Sequence, residues 1–218
     1  QAIRFAREGA AVVVADLDGD GAQQVAHDLA AEGWSAVGVE VDVTDDSSVH
    51  TLVSTALDRY DRIDILSNTA GSFDQFVQLL DMPRTTWQRV FDVNVTSLYT
   101  MCSAVLPHMV EQKRGIVLNI ASGAGLKGGG GGAAYTPAKH AVVGFTRQLA
   151  AAYGLHGIRV NCIAPGLIDT PMTKAFSHTP ETAAVLARYP AGRIGQPEDI
   201  ANAALFLVSD EADFIHAA

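Results

Sequence analysis

The sequence predicts an α/β domain built around a parallel, doubly wound sheet. Three observations carry this. Short β-branched runs alternate along the chain with stretches of helical periodicity. The runs are apolar almost throughout, as strands covered by helices on both faces must be. No internal repeat or linker-like change of composition divides the 218 residues, so a single domain spanning 1–218 is the economical reading.

The elements follow in order. Residues 1–8 show an Ala/Arg/Glu helical pattern and lead directly into an apolar run at 11–15, the first expected strand. Further strands are expected at 35–41, 63–67, 116–121 and 158–164. Helices are expected between them at 21–32, 45–60, 86–111 and 134–154. Thr85 followed by Gln88 gives a capping-box start to the third of these. A last helix is expected at 197–208, with Pro197 in its first turn. A further strand could open at Phe214 and Ile215.

Composition narrows the class. Hydrophobic residues make up 48% and charged residues 18%, which supplies a core and excludes disordered and low-complexity chains. The net charge is −9 and no Lys/Arg run occurs, so neither nucleic acid nor an anionic membrane is an expected partner. No apolar stretch approaches the ~20 residues that span a bilayer, and residues 1–9 lack a signal-peptide apolar region. Cys102 and Cys162 lie far apart among apolar neighbours and read as reduced core thiols of a cytoplasmic protein. No two histidines stand three or four apart, so no metal site is expected.

The chemistry concentrates in one stretch. Tyr135 and Lys139 stand four apart in a helical segment and project from one face, separated by about 6 Å of axial rise. Alone, such a pair is most often a solvated surface pair. A free tyrosine, with a pKa of about 10, is a poor base at neutral pH. A neighbouring ammonium together with a second, bound cationic group could lower it. Thirteen residues before Tyr135, Ser122 sits at the carboxyl end of an expected strand, where open α/β sheets place their ligand crevice. It could bind a substrate oxygen or simply end the strand in a turn.

The segment "GIVLNIASGAG…AAYTPAKHAVVGFTRQLA" resembles the catalytic stretch of the short-chain dehydrogenase/reductase family. That resemblance implies a Rossmann-type doubly wound fold and a catalytic set of Ser122, Tyr135 and Lys139. "FDVNVTS" adds Asn94, whose bland alternative is a helix asparagine bonded to backbone or solvent. "NTAG" is similar to the family's Asn-Asn-Ala-Gly, which implies cofactor-side roles for Asn68, Ala70 and Gly71; Thr69 departs from the pattern. "VDVTD" implies that Asp42 and Val43 cradle adenine. "NCIAPGLIDTPM" implies that Pro165, Gly166, Ile168 and Thr170 line the nicotinamide side.

Asp16 ends the first expected strand, where its carboxylate can accept both ribose hydroxyls of the adenosine half and repel a 2′-phosphate. With Leu17 beside it, this favours NAD over NADP. The implied reaction is hydride exchange between NAD(H) and a secondary alcohol or ketone. An NADP(H)-linked 3-oxoacyl carrier-protein ketoreductase and a catalytically silent nucleotide-binding or scaffold relative are the alternatives. The resemblance also implies a homotetramer or dimer formed through helices 86–111 and 134–154.

Gly128–Gly132 do not open a helix directly after a strand, as a phosphate cradle requires, and are expected to form a permissive wall of the active site. The segment from Met172 to Arg193, with Phe176, Leu186 and Tyr189, is expected to form a lid over an apolar substrate. The family's Gly-rich pyrophosphate motif has no counterpart, and residues 1–8 look like the remainder of the helix that follows it. His216 and Ala217 stand in place of the family's usual Thr-Gly. The resemblance therefore implies a sheet lacking its first and last strands, and a chain that is a piece of a longer enzyme.

Overall fold

A computed structural model describes residues 1–177, 179–187 and 189–218. The order is α1 (Ala2–Arg7), β1 (Val12–Asp16), α2 (Gly19–Ala31), β2 (Ala36–Glu40), α3 (Asp46–Tyr60) and β3 (Ile65–Asn68). There follow α4 (Arg84–Phe91), a π-helical turn (Asp92–Thr96), α5 (Ser97–Gln112), β4 (Gly115–Ile120) and α6 (Tyr135–Tyr153). β5 (Ile158–Ile163), α7 (Pro180–Leu186) and α8 (Pro197–Val208) complete the series. The five strands and the helices expected from residue 1 to 208 form, and the α8 bounds coincide with expectation, whereas Phe214 and Ile215 do not open a strand.

Every strand pairing is parallel. Alternation along the strands sends side chains to two helical layers. Val117 and Val160 pack with Leu52, Val105 and Leu149, from α3, α5 and α6, whereas Leu118 packs with Phe5, Ala204 and Val208, from α1 and α8. This is the doubly wound arrangement. The expected single sheet is divided, however: β1 pairs with β2, and β3, β4 and β5 form a second sheet. Packing rather than hydrogen bonding joins the two, since Val12 and Ile65 share one apolar cluster and Val13 and Val39 rest against the other. Residues 217–218 run beside β5, with Ala217 N–H donating to the Val160 carbonyl at 3.0 Å and Cys162 N–H donating to the Ala218 carbonyl at 2.8 Å.

Two local expectations are corrected. The helix expected from residue 86 begins at Arg84 after Pro83, so Thr85 lies inside it and caps nothing. Gln88 reaches forward to Asp92 at 2.9 Å instead of back. A capping box forms at α8, between Gln196 and Asp199, where Arg193 grips Asp199 and holds its carboxyl pKa at about 2. The second correction concerns the glycine run. A Cβ on Gly130, Gly131 or Gly132 would fall 2.8, 2.6 and 2.6 Å from Ala124, Tyr135 and Asp74 respectively, so these three are tightly packed. Only Gly128 and Gly129 face open space, Gly129 with φ +82°.

Gly38 marks where α2 lies closest to the sheet. A Cβ there would sit 2.5 Å from the Gln23 Cα and 2.6 Å from the Ala22 carbonyl oxygen, both backbone atoms. Gly38→Ala is therefore expected to lower stability by about 1–3 kcal/mol through overpacking. Gly144, inside α6 with open space around it, is the contrast: Gly144→Ala is expected to raise stability by about 0.5–1 kcal/mol. Chemical denaturation of the two variants checks both signs.

Candidate active site

The candidate residues gather at the carboxyl ends of the strands. β4 ends at Ile120, and Ser122 follows in extended backbone, its hydroxyl accepting the Ala124 N–H at 3.1 Å. The Gly123 N–H donates to the Pro165 carbonyl at 2.7 Å, which ties this turn to the loop after β5. Tyr135 opens α6 and Lys139 follows one turn later on the same face. The Lys139 Nζ donates to the Ile120 carbonyl at 2.9 Å and lies 5.6 Å from the Tyr135 ring centroid. One strand end and one helix thus bring Ser122, Tyr135 and Lys139 together.

Asn94 arrives from the long helix. The run expected at 86–111 contains a π-helical turn, and Asn94 is its buried residue. Such turns are frequent at functional sites because the wider turn re-aims a side chain. The Asn94 Nδ2 donates to the Val90 and Ser72 carbonyls, each at 2.8 Å. Its Oδ1 is buried without a partner. A Cβ on Gly71 would lie 3.3 Å from that oxygen and 3.8 Å from the Lys139 Nζ, so the space between them exists because residue 71 is glycine.

Burial dominates the electrostatics. It lowers the Lys139 pKa to about 8, and Lys139 is only 4% exposed. It also pushes the Tyr135 phenol above its ordinary value; Ser122 pulls the phenol down by hydrogen bonding and the nearby Asp74 charge pushes it up. The expected lowering of the Tyr135 pKa called on a second, bound cationic group as well as the ammonium; with the chain's own groups alone, burial leaves the phenol raised. The ammonium bonds a backbone carbonyl and stands 5.6 Å from the Tyr135 ring centroid.

The cofactor-side candidates divide. Asp16 is exposed at the end of β1, in register with Glu40 of β2, so two carboxylates stand side by side there. Asp16 accepts the Asp18 N–H at 3.0 Å, and Leu17 beside it is 58% exposed. Asp42 is exposed, and its carboxylate accepts from the Thr44 N–H and hydroxyl at 2.9 and 2.6 Å, which draws its pKa down. Val43 packs partly against the core, while Ala70 lies open on the rim. Asn68 turns inward: its Nδ2 donates to the Asn119 Oδ1 at 2.9 Å, and Asn119 in turn donates to the Thr146 hydroxyl at 2.9 Å. Its side chain is thus committed to joining β3, β4 and α6. Ile168 bridges Gly195, and Thr170 is held by Thr173, whose hydroxyl donates to the Ile168 carbonyl at 2.6 Å. Pro165 and Gly166 form the adjoining turn, with the Tyr189 ring close to Gly166.

The segment 172–193 contains turns and α7, and its residues 178 and 188 lie outside the described residues. Phe176 packs on Phe73 and Phe76 with centroids 5.7 and 5.4 Å apart, and Phe73 meets the Tyr135 ring edge-on at 4.9 Å. The aromatic side chains from 73 and 76, and the buried Asp74 between them, are site features that the sequence motifs do not announce. Among the described residues no His/Cys/Asp/Glu cluster could hold a metal, and no helix is long and apolar enough to cross a membrane.

Fold and site together define a dinucleotide-type α/β domain with a Ser-Tyr-Lys-Asn centre at its sheet's carboxyl edge. The family described as enoyl-(acyl carrier protein) reductase matches the chain over residues 1–218. The (2S)-[(R)-hydroxy(phenyl)methyl]succinyl-CoA dehydrogenase subunit BbsD of Thauera aromatica is 41% identical over 214 residues, 98% of this chain and 85% of that protein. The 3-oxoacyl-[acyl-carrier-protein] reductase FabG of Escherichia coli (strain K12) is 36% identical over 211 residues, 97% of this chain and 84% of that protein. The crystal structure of gox2181 superposes with a TM-score of 0.96 at 36% identity, covering all of this chain and 86% of that one. The chain belongs to the short-chain dehydrogenase/reductase family of oxidoreductases.

The depressed Lys139 pKa has a stability consequence. Between about 8 and 10.5 the unfolded chain binds more protons at this lysine than the folded chain does, so its contribution to stability rises with pH across that window. Below pH 8 the buried ammonium costs on the order of 3 kcal/mol. Lys139→Met is expected to flatten the rise between pH 8 and 10.5 and to abolish turnover without loss of stability at pH 7. Denaturant titrations at several pH values test this; an unchanged pH dependence would refute the depressed lysine.

Proposed function

We propose that the chain exchanges a hydride between NAD(H) and a secondary alcohol or its ketone. The observation that carries this is the convergence of Ser122, Tyr135, Lys139 and the unpartnered Asn94 Oδ1 around one half-buried phenol. A nicotinamide dinucleotide fits the rim described above, with Asp16 at the adenosine ribose, Asp42, Val43, Ala70 and Gly71 along its length, and Pro165, Gly166, Ile168 and Thr170 at the far end. When bound, it supplies or takes up the hydride.

The chain's own residues handle the proton. The Tyr135 phenol gives a proton to, or takes one from, the substrate oxygen, and Ser122 hydrogen-bonds that oxygen and steadies its developing charge. Lys139 supplies positive charge next to the phenol and holds the nicotinamide ribose. Asn94 Oδ1 accepts from a water that passes protons between Lys139 and solvent. Phe73, Phe76 and Phe176 make an apolar, aromatic wall. It suits a ring-bearing substituent such as the phenyl group in the name of the BbsD relative. The apolar groove of about 440 Å³ between α5 and α6, lined by Tyr99, Leu106, Phe145 and Tyr153, is the face through which copies of the chain associate.

A second reading, NADP(H)-linked reduction of 3-oxoacyl thioesters, is favoured by the FabG relative. The Asp16–Glu40 carboxylate pair weighs against it, because both charges repel a 2′-phosphate. Absorbance at 340 nm with secondary alcohols and with a 3-oxoacyl thioester separates the two. Tyr135→Phe is expected to lower kcat by ~10²–10⁴-fold while NAD binding is retained; unchanged turnover would overturn the mechanism. Asp16→Ala is expected to narrow the preference for NAD over NADP at least about tenfold, a change of ~1.4 kcal/mol in relative binding. A wild-type preference for NADP would move the assignment to the second reading.

A further inference from the structure

We propose that Asp74 is the positioning residue for Tyr135: its buried carboxylate gathers three backbone N–H groups at the start of α6 and so fixes where the phenol stands. The inference rests on Tyr135 being the acid/base group. Asp74 is 2% exposed. One of its oxygens accepts the Gly132 N–H at 2.9 Å, and the other accepts the Ala134 and Tyr135 N–H groups at 2.9 and 2.8 Å. α6 has no side-chain cap from its own N-cap residue, Ala134. Its first donors are satisfied instead by a carboxylate 61 residues earlier in the chain, in a place where a helix N-terminus favours negative charge.

The neighbouring backbone is shaped to permit this. The Val77 N–H donates to the Asp74 carbonyl at 3.0 Å, and the Val77 carbonyl accepts from the Ala133 N–H at 2.9 Å. Between them Gln75 and Phe76 adopt left-handed φ of 51° and 61°, unusual for two successive residues with side chains. Residues 73–77 therefore form a strap across the start of α6, with the Phe73 ring on Tyr135 at one end and Val77 on Ala133 at the other. The last glycine of the run completes the fit, since any side chain at Gly132 would collide with Asp74 and the Val77 carbonyl, each 2.6 Å away.

A carboxylate is needed for geometric and electrostatic reasons. Three donors converge on two oxygens, and an amide would turn an NH₂ group toward at least one N–H. The groups facing the phenol are Ser122 from the end of β4, Lys139 from α6, the uncharged Phe73 ring, and Asp74, whose negative charge opposes the phenolate. Removing that charge favours the phenolate. A residue that serves only folding would change the amount of active enzyme and leave the titration midpoint in place.

The test is Asp74→Asn in the enzyme, with kcat, KM and the pH profile of alcohol oxidation measured per folded molecule. The expected result is a ~10–100-fold fall in kcat with little change in cofactor KM. The midpoint of the acidic limb is expected to move to lower pH. Wild-type kcat, or activity lost only in proportion to folded protein with an unmoved midpoint, would overturn the proposal. Should Asp74→Asn not fold, Gly132→Ala displaces the same carboxylate but keeps its charge. It is expected to lower kcat without moving the midpoint, and wild-type kcat there would equally overturn it. Tyr135→Phe separates the two claims: if it remains active the acid/base reading fails, and if it is inactive while Asp74→Asn is normal only the Asp74 assignment fails.

Discussion

The docking of α6 onto the carboxyl end of β4 is the constraint on which the site depends. Two candidate side chains leave one helix and a third follows the strand, so a small rotation or slide of α6 would separate them. Several contacts fix its depth. A Cβ on Gly125 would stand 2.5 Å from the Lys139 carbonyl oxygen, so helix backbone and strand-end turn touch directly. The buried chain Asn68–Asn119–Thr146 then fixes the rotation, because Asn119 accepts from Asn68 and donates to Thr146, each at 2.9 Å, and Asn119 and Thr146 are fully buried, away from water. Buried polar groups of this kind cost free energy when a partner shifts, so they select one packing among many that an apolar core would allow.

The same burial sets the chemistry at odds with stability. Lys139 would be cheaper as a neutral group, and the Tyr135 phenol is favoured in its protonated form. A site whose ionised forms are both disfavoured responds strongly to an added charge, because a low-dielectric environment amplifies it. A cationic ring placed beside the phenol would therefore add its charge to that of the Lys139 ammonium, which bonds the Ile120 carbonyl. Strand ends covered on both faces provide such an environment, which a surface Tyr-Lys pair at the same spacing would lack.

Much of this was legible in the sequence, for physical reasons that differ from residue to residue. Strands buried on both faces read as apolar runs, and the Tyr135–Lys139 spacing is a helical repeat; both are local signals. Asn94 could be named from its motif, but not the π-helical turn that carries it or the Ser72 carbonyl, 22 residues earlier, that its amide bonds. Thr85 and Gln88 satisfy a capping pattern, yet the helix starts after Pro83, two residues too early for them. Asn68 carries a cofactor-side motif and spends its amide on the sheet. The apolar runs show that strands are buried without showing which of them are neighbours.

Asp74 is the clearest case of a residue hidden from sequence reasoning. An aspartate between two phenylalanines looks like an ordinary loop residue, and its partners lie 58 to 61 positions away. The glycine run gave the complementary half of the signal, but permissiveness and close approach both call for glycine and sequence alone does not separate them. Here close approach wins at Gly130, Gly131 and Gly132 and openness at Gly128 and Gly129. A loop that is tight where it meets the phenol and open where it meets solvent can hold Tyr135 still while its outer turn adjusts to what enters. Close packing against Tyr135 and freedom toward solvent are thus divided between the two ends of a single five-residue run.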